Sequence, residues 1–262
     1  MGITVSIVSH GHGETVEQLL QQMADLSAPR PERVIVTLNQ PEPVLAQGLR
    51  GREWPFDLVL TENAEPLGFG ANHNRAFALD AARGATEGFA VVNPDIRLRG
   101  NPFGPLLAAL GSVPHAGLAY PLQVDEGGGR QDHERLLPTP KHLLARHLGH
   151  GAAEVPTGAT PDWVNAAFLL LVREAFAQVG GFDERFHMYC EDVDLCLRLR
   201  LVGWQLARAD GAVVVHAAQR ASRRRLSHLG WHVRSLLRLW RSRSWHEFRA
   251  GQANGQRVGG TS

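Results

Sequence analysis

Lysine, cysteine and tyrosine are scarce in this chain of 262 residues. Cysteine occurs only as Cys190 and Cys196, six positions apart and outside any CxxC pair. Two cysteines exclude a disulfide framework, which fits a reducing compartment. The opening MGITVSIVSHGHG has neither a basic stretch nor a long apolar run, so no signal peptide is expected. No segment approaches the ~20 apolar residues of a membrane span. The expected location is therefore cytoplasmic. No internal repeat is present, and no GxGxxG fingerprint supports dinucleotide binding. A net charge of +1 excludes a polyelectrolyte. Lys141 is the only lysine, and the arginines gather between Arg220 and Arg249, where Glu247 is the only acid.

What is present suits one large α/β domain: 44% apolar and 20% charged residues in a length that one doubly wound domain often fills. The β-branched run 3–9 reads as a buried strand that exits into His10-Gly11-His12-Gly13. Helical spacing follows over 14–26, a second strand over 33–38, and irregular chain around Pro41, Pro43 and Gly48. A short third strand is expected at 57–60, a helix over 68–83 and a fourth strand over 88–92, closed by Asn93-Pro94-Asp95. This rhythm predicts a mostly parallel sheet flanked by helices, with ligands at the carboxyl ends of its strands. Residues 123–162 read as a long excursion. One apolar strand is expected over 163–172, then a short helix over 173–179, a helix over 191–201 and a last strand over 212–215 ending at His216.

Four constellations carry chemistry. Asp95, at the end of a strand, is placed to hold a divalent cation such as Mg²⁺ or Mn²⁺; a plain turn explains the same residues. The stretch MYCEDVDLCLR gathers Glu191, Asp192 and Asp194 in apolar company. Helix-dipole complementation explains one or two acids there, and a carboxylate in a partly apolar cleft also suits a general base. Asp194 can pair with Arg198 one turn on. His216 stands at a strand end, where a lone histidine is more often structural. The glycine- and asparagine-rich turn 63–75 offers backbone and free helix N–H groups to an anion.

Taken together and in this order, the strand-1 loop, NAEPLGFGANHNR, NPD, GGFDERFHMYCEDVDLCLRLRLVGW and VVVH resemble family 2 glycosyltransferases of the GT-A fold. The similarity is greatest to bacterial rhamnosyltransferase-like members and spans about residues 2–220. It implies an inverting transfer of a sugar from a nucleotide-diphosphate sugar to an acceptor hydroxyl on a cell-surface glycan or its lipid-linked precursor, with rhamnose from dTDP-rhamnose as the favoured donor. It implies a nucleotide-sugar-binding half at 1–122 and an acceptor half at 123–220. Asp192 corresponds to the catalytic base, and Glu191 assists by placing the acceptor. Asp95 and His216 correspond to the metal site. Ser9, His10, Gly11, Asn39, Gly68, Asn72, Asn74, Asn93 and Asp95 fall on the donor side, and Trp163 and Tyr189 join Glu191 on the acceptor side. Two departures stand out: Leu38 occupies the place of a base-reading acid, and His10-Gly11-His12 replaces the usual Tyr-Asn.

The segment 221–250 keeps a helical apolar stripe with arginines largely off it. It reads either as a basic amphipathic helix on an anionic membrane surface, which makes the protein peripheral to the membrane, or as a helix packed on its own domain. Residues 251–262 read as a disordered tail. A non-catalytic nucleotide-sugar or glycan binding protein on the same fold is the rival reading. No nucleic-acid motif accompanies the arginines, so nucleic-acid binding is not expected.

Overall fold

The computed structural model describes residues 1–139, 155, 160–217 and 226–253. An eight-stranded sheet forms its centre, in the order β3-β2-β1-β4-β9-β6-β10-β5. Its strands are β1 (Ile3–Ser9), β2 (Arg33–Leu38), β3 (Asp57–Glu62), β4 (Gly88–Val92), β5 (Ile96–Arg99), β6 (Ala116–Val124), β9 (Phe168–Val172) and β10 (Gln205–His216). β7 (Glu134–Arg135) and β8 (Trp163–Val164) pair as a separate two-stranded ribbon. Pairing is parallel among β3, β2, β1 and β4 and between β6 and β10, whereas β9 and β5 run against their neighbours.

Side chains alternate between the two faces, as the pleat requires. Val34, Val36, Ala90 and Val92 join one buried cluster, shared with α1 (Gly13–Ala24), α2 (Pro43–Arg50) and α4 (Phe103–Ser112). Ile35, Phe89 and Val91 join the other, shared with α3 (Phe69–Ala82), α5 (Arg173–Gln178), α6 (Glu191–Leu201), α7 (Leu226–Trp240) and α8 (Arg243–Ala253). This is a helix–sheet–helix sandwich, as expected. At the end of the sheet away from the strand carboxyl termini, Asp80 is fully buried and satisfied by Arg33, Arg173, Thr4 and Thr86. Every donor around it is a structural partner.

Several expectations change. The chain around Pro43 is a helix, because proline is tolerated at the first helical position, where its missing N–H has no partner to lose. The apolar run 163–172 is two strands. Asn165 exchanges two hydrogen bonds with Gln123 and turns the chain out of the ribbon and into the main sheet. Of the long excursion, 123–139 forms the end of β6, a tight turn and β7, while 140–154 and 156–159 lie outside the described residues. The single helix expected within 221–250 is two. Ser242 Oγ accepts the Trp245 N–H and donates to Leu239 O, so it ends one helix and caps the next. Residues 251–253 continue α8; Arg224, Arg225 and 254–262 lie outside the described residues. Leu239, Trp245 and Phe248 are buried in the core cluster that holds α6, so this part packs on its own domain.

Candidate active site

Topology brings together two residues that are far apart in sequence. β5 pairs antiparallel with the end of β10, and its register places Ile96 opposite His216. Asp95 directly precedes Ile96, and Asp95 O accepts the Ala217 N–H at 3.2 Å. His216 Nε2 consequently lies 3.6 Å from Asp95 Oδ2, with both side chains mostly but not wholly buried. Gln131 fixes the ring. Its Nε2 donates to His216 O at 2.7 Å, which turns its Oε1 to within 3.2 Å of His216 Nδ1. Nδ1 then carries the hydrogen, and Nε2 presents a lone pair toward the carboxylate. Burial pushes the His216 pKa down, and Asp95 offsets this only in part. A bare imidazole nitrogen beside a carboxylate is a donor set for a divalent cation. Among the described residues no group of three potential ligands forms. Two protein ligands suit a cation whose other positions are filled by water and substrate phosphates.

The carboxylate cluster sits at the start of α6. Tyr189 and Cys190, just before it, have φ of 71° and 67°, a left-handed conformation costly for residues with a Cβ. That entry turns Glu191 inward. It is buried, its Oε2 has no hydrogen-bond partner, and burial followed by the charge of Asp192 raises its pKa well above the usual carboxylate range. Asp192 is half-buried and accepts the Val193 N–H at 2.8 Å. Its pKa is also raised, chiefly by burial, against the opposing effects of the Val193 and Ala166 N–H groups and of Arg135. Asp194 points away from this pair. Its carboxylate takes Arg198 at 2.7 Å, as the helical spacing predicts, and Ser244 at 2.7 Å. The three acids thus divide into a pair with raised pKa values and one structural anchor, and the Cys190 side chain makes no capping bond.

One short segment links the two sites. β9 starts beside the end of β4, with Val92 opposite Phe168, and Ala167 O accepts the Asn93 N–H at 2.8 Å. The next residue back, Ala166, lies near enough to Asp192 for its N–H to oppose the rise in the Asp192 pKa. The NPD turn and the Glu191–Asp192 pair therefore flank the same three residues, 165–167, at the carboxyl end of the sheet.

The donor-side residues divide into two groups. His10 and Gly11 lie exposed at the end of β1, where Glu42 accepts the Gly11 N–H at 3.0 Å. Ser9 is buried, and its Oγ accepts the His12 N–H. Asn39 and Asn72 face inward: Asn63 Nδ2 donates to both their carbonyl oxygens, at 2.8 and 2.7 Å, and Arg75 donates to Asn63 Oδ1. Asn39 also clamps Leu67 through its N–H and its carbonyl. These asparagines shape the loop 63–68. Asn74 reaches across to the turn at 182–184, bonding the Phe182 N–H and carbonyl and Glu184. A Cβ on Gly68 would meet His187 O at 2.6 Å, and the Phe69 N–H already bonds that oxygen, so the donor-side turn is tied directly to the loop before α6. Leu38 is buried in the core cluster below the sheet's helices rather than in the loop.

Acceptor-side Trp163 is mostly buried, with its Nε1 donating to Leu136 O. Arg135 lies over its ring at 5.1 Å, and Tyr189 packs edge-on against His232. Sequence reasoning missed Gln131, Arg135 and Ala166, and it quoted Asn63 within the turn 63–75 without giving it a role. These act through backbone register or a side chain at long range, and no local motif marks the three that were missed.

No family model matches the chain. The chain is 28% identical over 247 residues to rhamnosyltransferase WbbL of Escherichia coli, covering 90% of this chain and 91% of that one. It is 31% identical over 258 residues to N-acetylglucosaminyl-diphospho-decaprenol L-rhamnosyltransferase of Mycobacterium tuberculosis, covering 89% and 82%. Its fold matches that of the mannosyltransferase PcManGT of Pyrobaculum calidifontis, solved with GDP-Man and Mn²⁺, with a TM-score of 0.59 and 16% identity over 99% of this chain and 76% of the other. Length, sequence and fold agree, and the chain belongs to the rhamnosyltransferase-like group of the family 2 glycosyltransferases.

Proposed function

We propose that this glycosyltransferase moves rhamnose, with inversion, from dTDP-rhamnose to a hydroxyl of an N-acetylglucosaminyl unit carried on a polyprenyl diphosphate, at the inner face of the cytoplasmic membrane. The acceptor class follows the Mycobacterium tuberculosis relative, which matches this chain along most of its length. The observation that supports the mechanism is the segment 165–167, which bonds the Asn93 N–H through Ala167 O and lies near Asp192 at Ala166. Donor diphosphate and acceptor hydroxyl are then served from adjoining points at the end of the sheet.

Asp95 and His216 would hold a divalent cation, Mn²⁺ or Mg²⁺, which when bound offsets charge on the leaving diphosphate. Asp192 takes the acceptor proton as the hydroxyl oxygen bonds to the anomeric carbon. The bond from that carbon to the phosphate oxygen breaks, and the nucleoside diphosphate departs with the electron pair. Attack opposite the leaving group inverts the anomeric centre. The raised pKa of Asp192 makes it a better proton acceptor than an ordinary aspartate. Glu191, buried beside it, helps to place the acceptor. Asn39, Asn63 and Asn72 hold the loop that meets the nucleotide, and His10 and Gly11 border the base and ribose.

The test is turnover. The protein, Mn²⁺, dTDP-rhamnose and a synthetic N-acetylglucosaminyl diphosphate lipid are combined, and the product is read by mass spectrometry and NMR. A rhamnosylated product with inverted anomeric configuration is expected. A retained configuration overturns the mechanism. Donor binding without transfer to any acceptor favours a binding protein on this fold.

A further inference from the structure

The loop before α6 and the exposed flank of α7 form a groove of about 830 Å³. Arg185 stands on the loop side, and Val233, Arg234, Leu237, Arg238 and Arg241 stand on the helix side. The helix side has two parallel rows. Arg234, Arg238 and Arg241 recur at i, i+4 and i+7, and beside them Val233 and Leu237 recur at i, i+4. These two apolar side chains are 49% and 42% exposed, although the same helix buries Leu239 completely. Asp183 neutralises Arg185 at 2.6 Å, but among the described residues no carboxylate pairs with Arg234, Arg238 or Arg241. Arg238 is held instead over the Phe186 ring at 5.9 Å. Ser235 Oγ donates to Met188 O at 2.8 Å and fixes α7 to the loop that runs directly into Glu191.

We propose that this groove binds the diphosphate and the first isoprenoid units of the lipid-linked acceptor. The inference rests on the acceptor class proposed above and assigns that acceptor a subsite. Charge complementarity selects the ligand. A diphosphate carries several negative charges in one compact group, and adjacent guanidinium groups bind such oxygens in bidentate fashion. The apolar row alongside suits a hydrocarbon chain attached to that diphosphate. Met188, which anchors α7 through Ser235, lies three residues before Glu191, so the groove adjoins the loop that leads to the Glu191–Asp192 pair.

The experiment uses the full chain and farnesyl diphosphate as probe, in metal-free buffer, with affinity measured by calorimetry. Wild type is expected to bind, and Arg234→Gln with Arg238→Gln to lose at least tenfold in affinity, while the corresponding double lysine variant recovers part of the loss. Leu237→Glu changes an exposed side chain, so it tests the groove even if the arginine variants fold poorly, and it too should lose at least tenfold. Variant affinities within twofold of wild type overturn the proposal. So does inorganic pyrophosphate binding as tightly as the probe, since the apolar row would then take no part. Displacement of the probe by dTDP would assign it to the donor site. Binding of phosphatidylglycerol vesicles without binding of the probe would make the surface a general membrane contact, and the proposal falls. Because no turnover is required, a failed transfer assay and a failed groove give different results.

Discussion

His216 Nε2 faces Asp95 Oδ2 across 3.6 Å, while its other ring nitrogen is held by Gln131. The glutamine therefore decides which imidazole nitrogen is free. Gln131→Leu removes the acceptor and lets the ring change tautomer. Loss of such an outer partner weakens metal binding about 10–100-fold. We expect the Mn²⁺ concentration that half-stabilises the protein with dTDP to rise by that factor, and Asp95→Ala to abolish the metal-dependent shift. A thermal-shift titration measures both. Unchanged Mn²⁺ midpoints would remove Gln131 and Asp95 from the site.

Asp192 and Asp194 lie two residues apart and should fail differently. Asp192→Asn keeps an oxygen for the Val193 N–H but cannot accept a proton. The turnover number should fall ~10²–10⁴-fold with donor affinity retained. Asp194→Asn weakens the bonds to Arg198 and Ser244. It should lower the unfolding temperature and spare the chemistry of correctly folded molecules. Rates and melting temperatures measured on both variants separate the roles; equal losses of turnover in the two would refute the assignment.

Glu191 has a pH signature. Its folded pKa lies above its unfolded value because burial and Asp192 disfavour the charged form. The stability present below the unfolded pKa, where both states hold the proton, is therefore lost progressively as pH rises toward the folded pKa. The amide of Glu191→Gln bears no such penalty. Without metal, the melting temperature of this variant minus that of wild type should increase between about pH 5 and about pH 8. A difference independent of pH would mean that Glu191 titrates as an ordinary carboxylate.

Much of this was legible in the sequence, for identifiable reasons. The first strands declare themselves because buried parallel strands are nearly continuous apolar runs, and β2 and β4 match their expected bounds. The start of α6 and the Asp194–Arg198 pair follow from local spacing. Proline concealed α2, since the same residue that breaks a helix interior is accepted at its first position. β5, α4 and β6 were not anticipated, and with them went the antiparallel return that puts His216 beside Asp95. The partnership of those two residues depends on sheet register, which leaves no trace in their separation along the chain. Asn39 and Asn72 have the residue type of ligand contacts, yet their side chains are spent on Asn63 and the backbone. Only three-dimensional placement distinguishes a contacting asparagine from a positioning one.

The C-terminal helix α8 should behave as part of the core. Ser244 Oγ donates to Asp194 Oδ1, and Trp245 and Phe248 are buried against α6. Ser244→Ala leaves one carboxylate oxygen of a buried acid without a donor, at a cost of about 1–3 kcal/mol. Trp245→Ala creates a large cavity and costs about 3–5 kcal/mol. Both should shift the urea midpoint to lower concentration, Trp245→Ala further. Because α6 begins with Glu191 and Asp192, a loosened α8 also blurs the geometry at that end, and kcat should fall before global unfolding is detectable. If a chain cut after Ser242 unfolds at the wild-type midpoint, α8 is an appendage and this coupling does not exist.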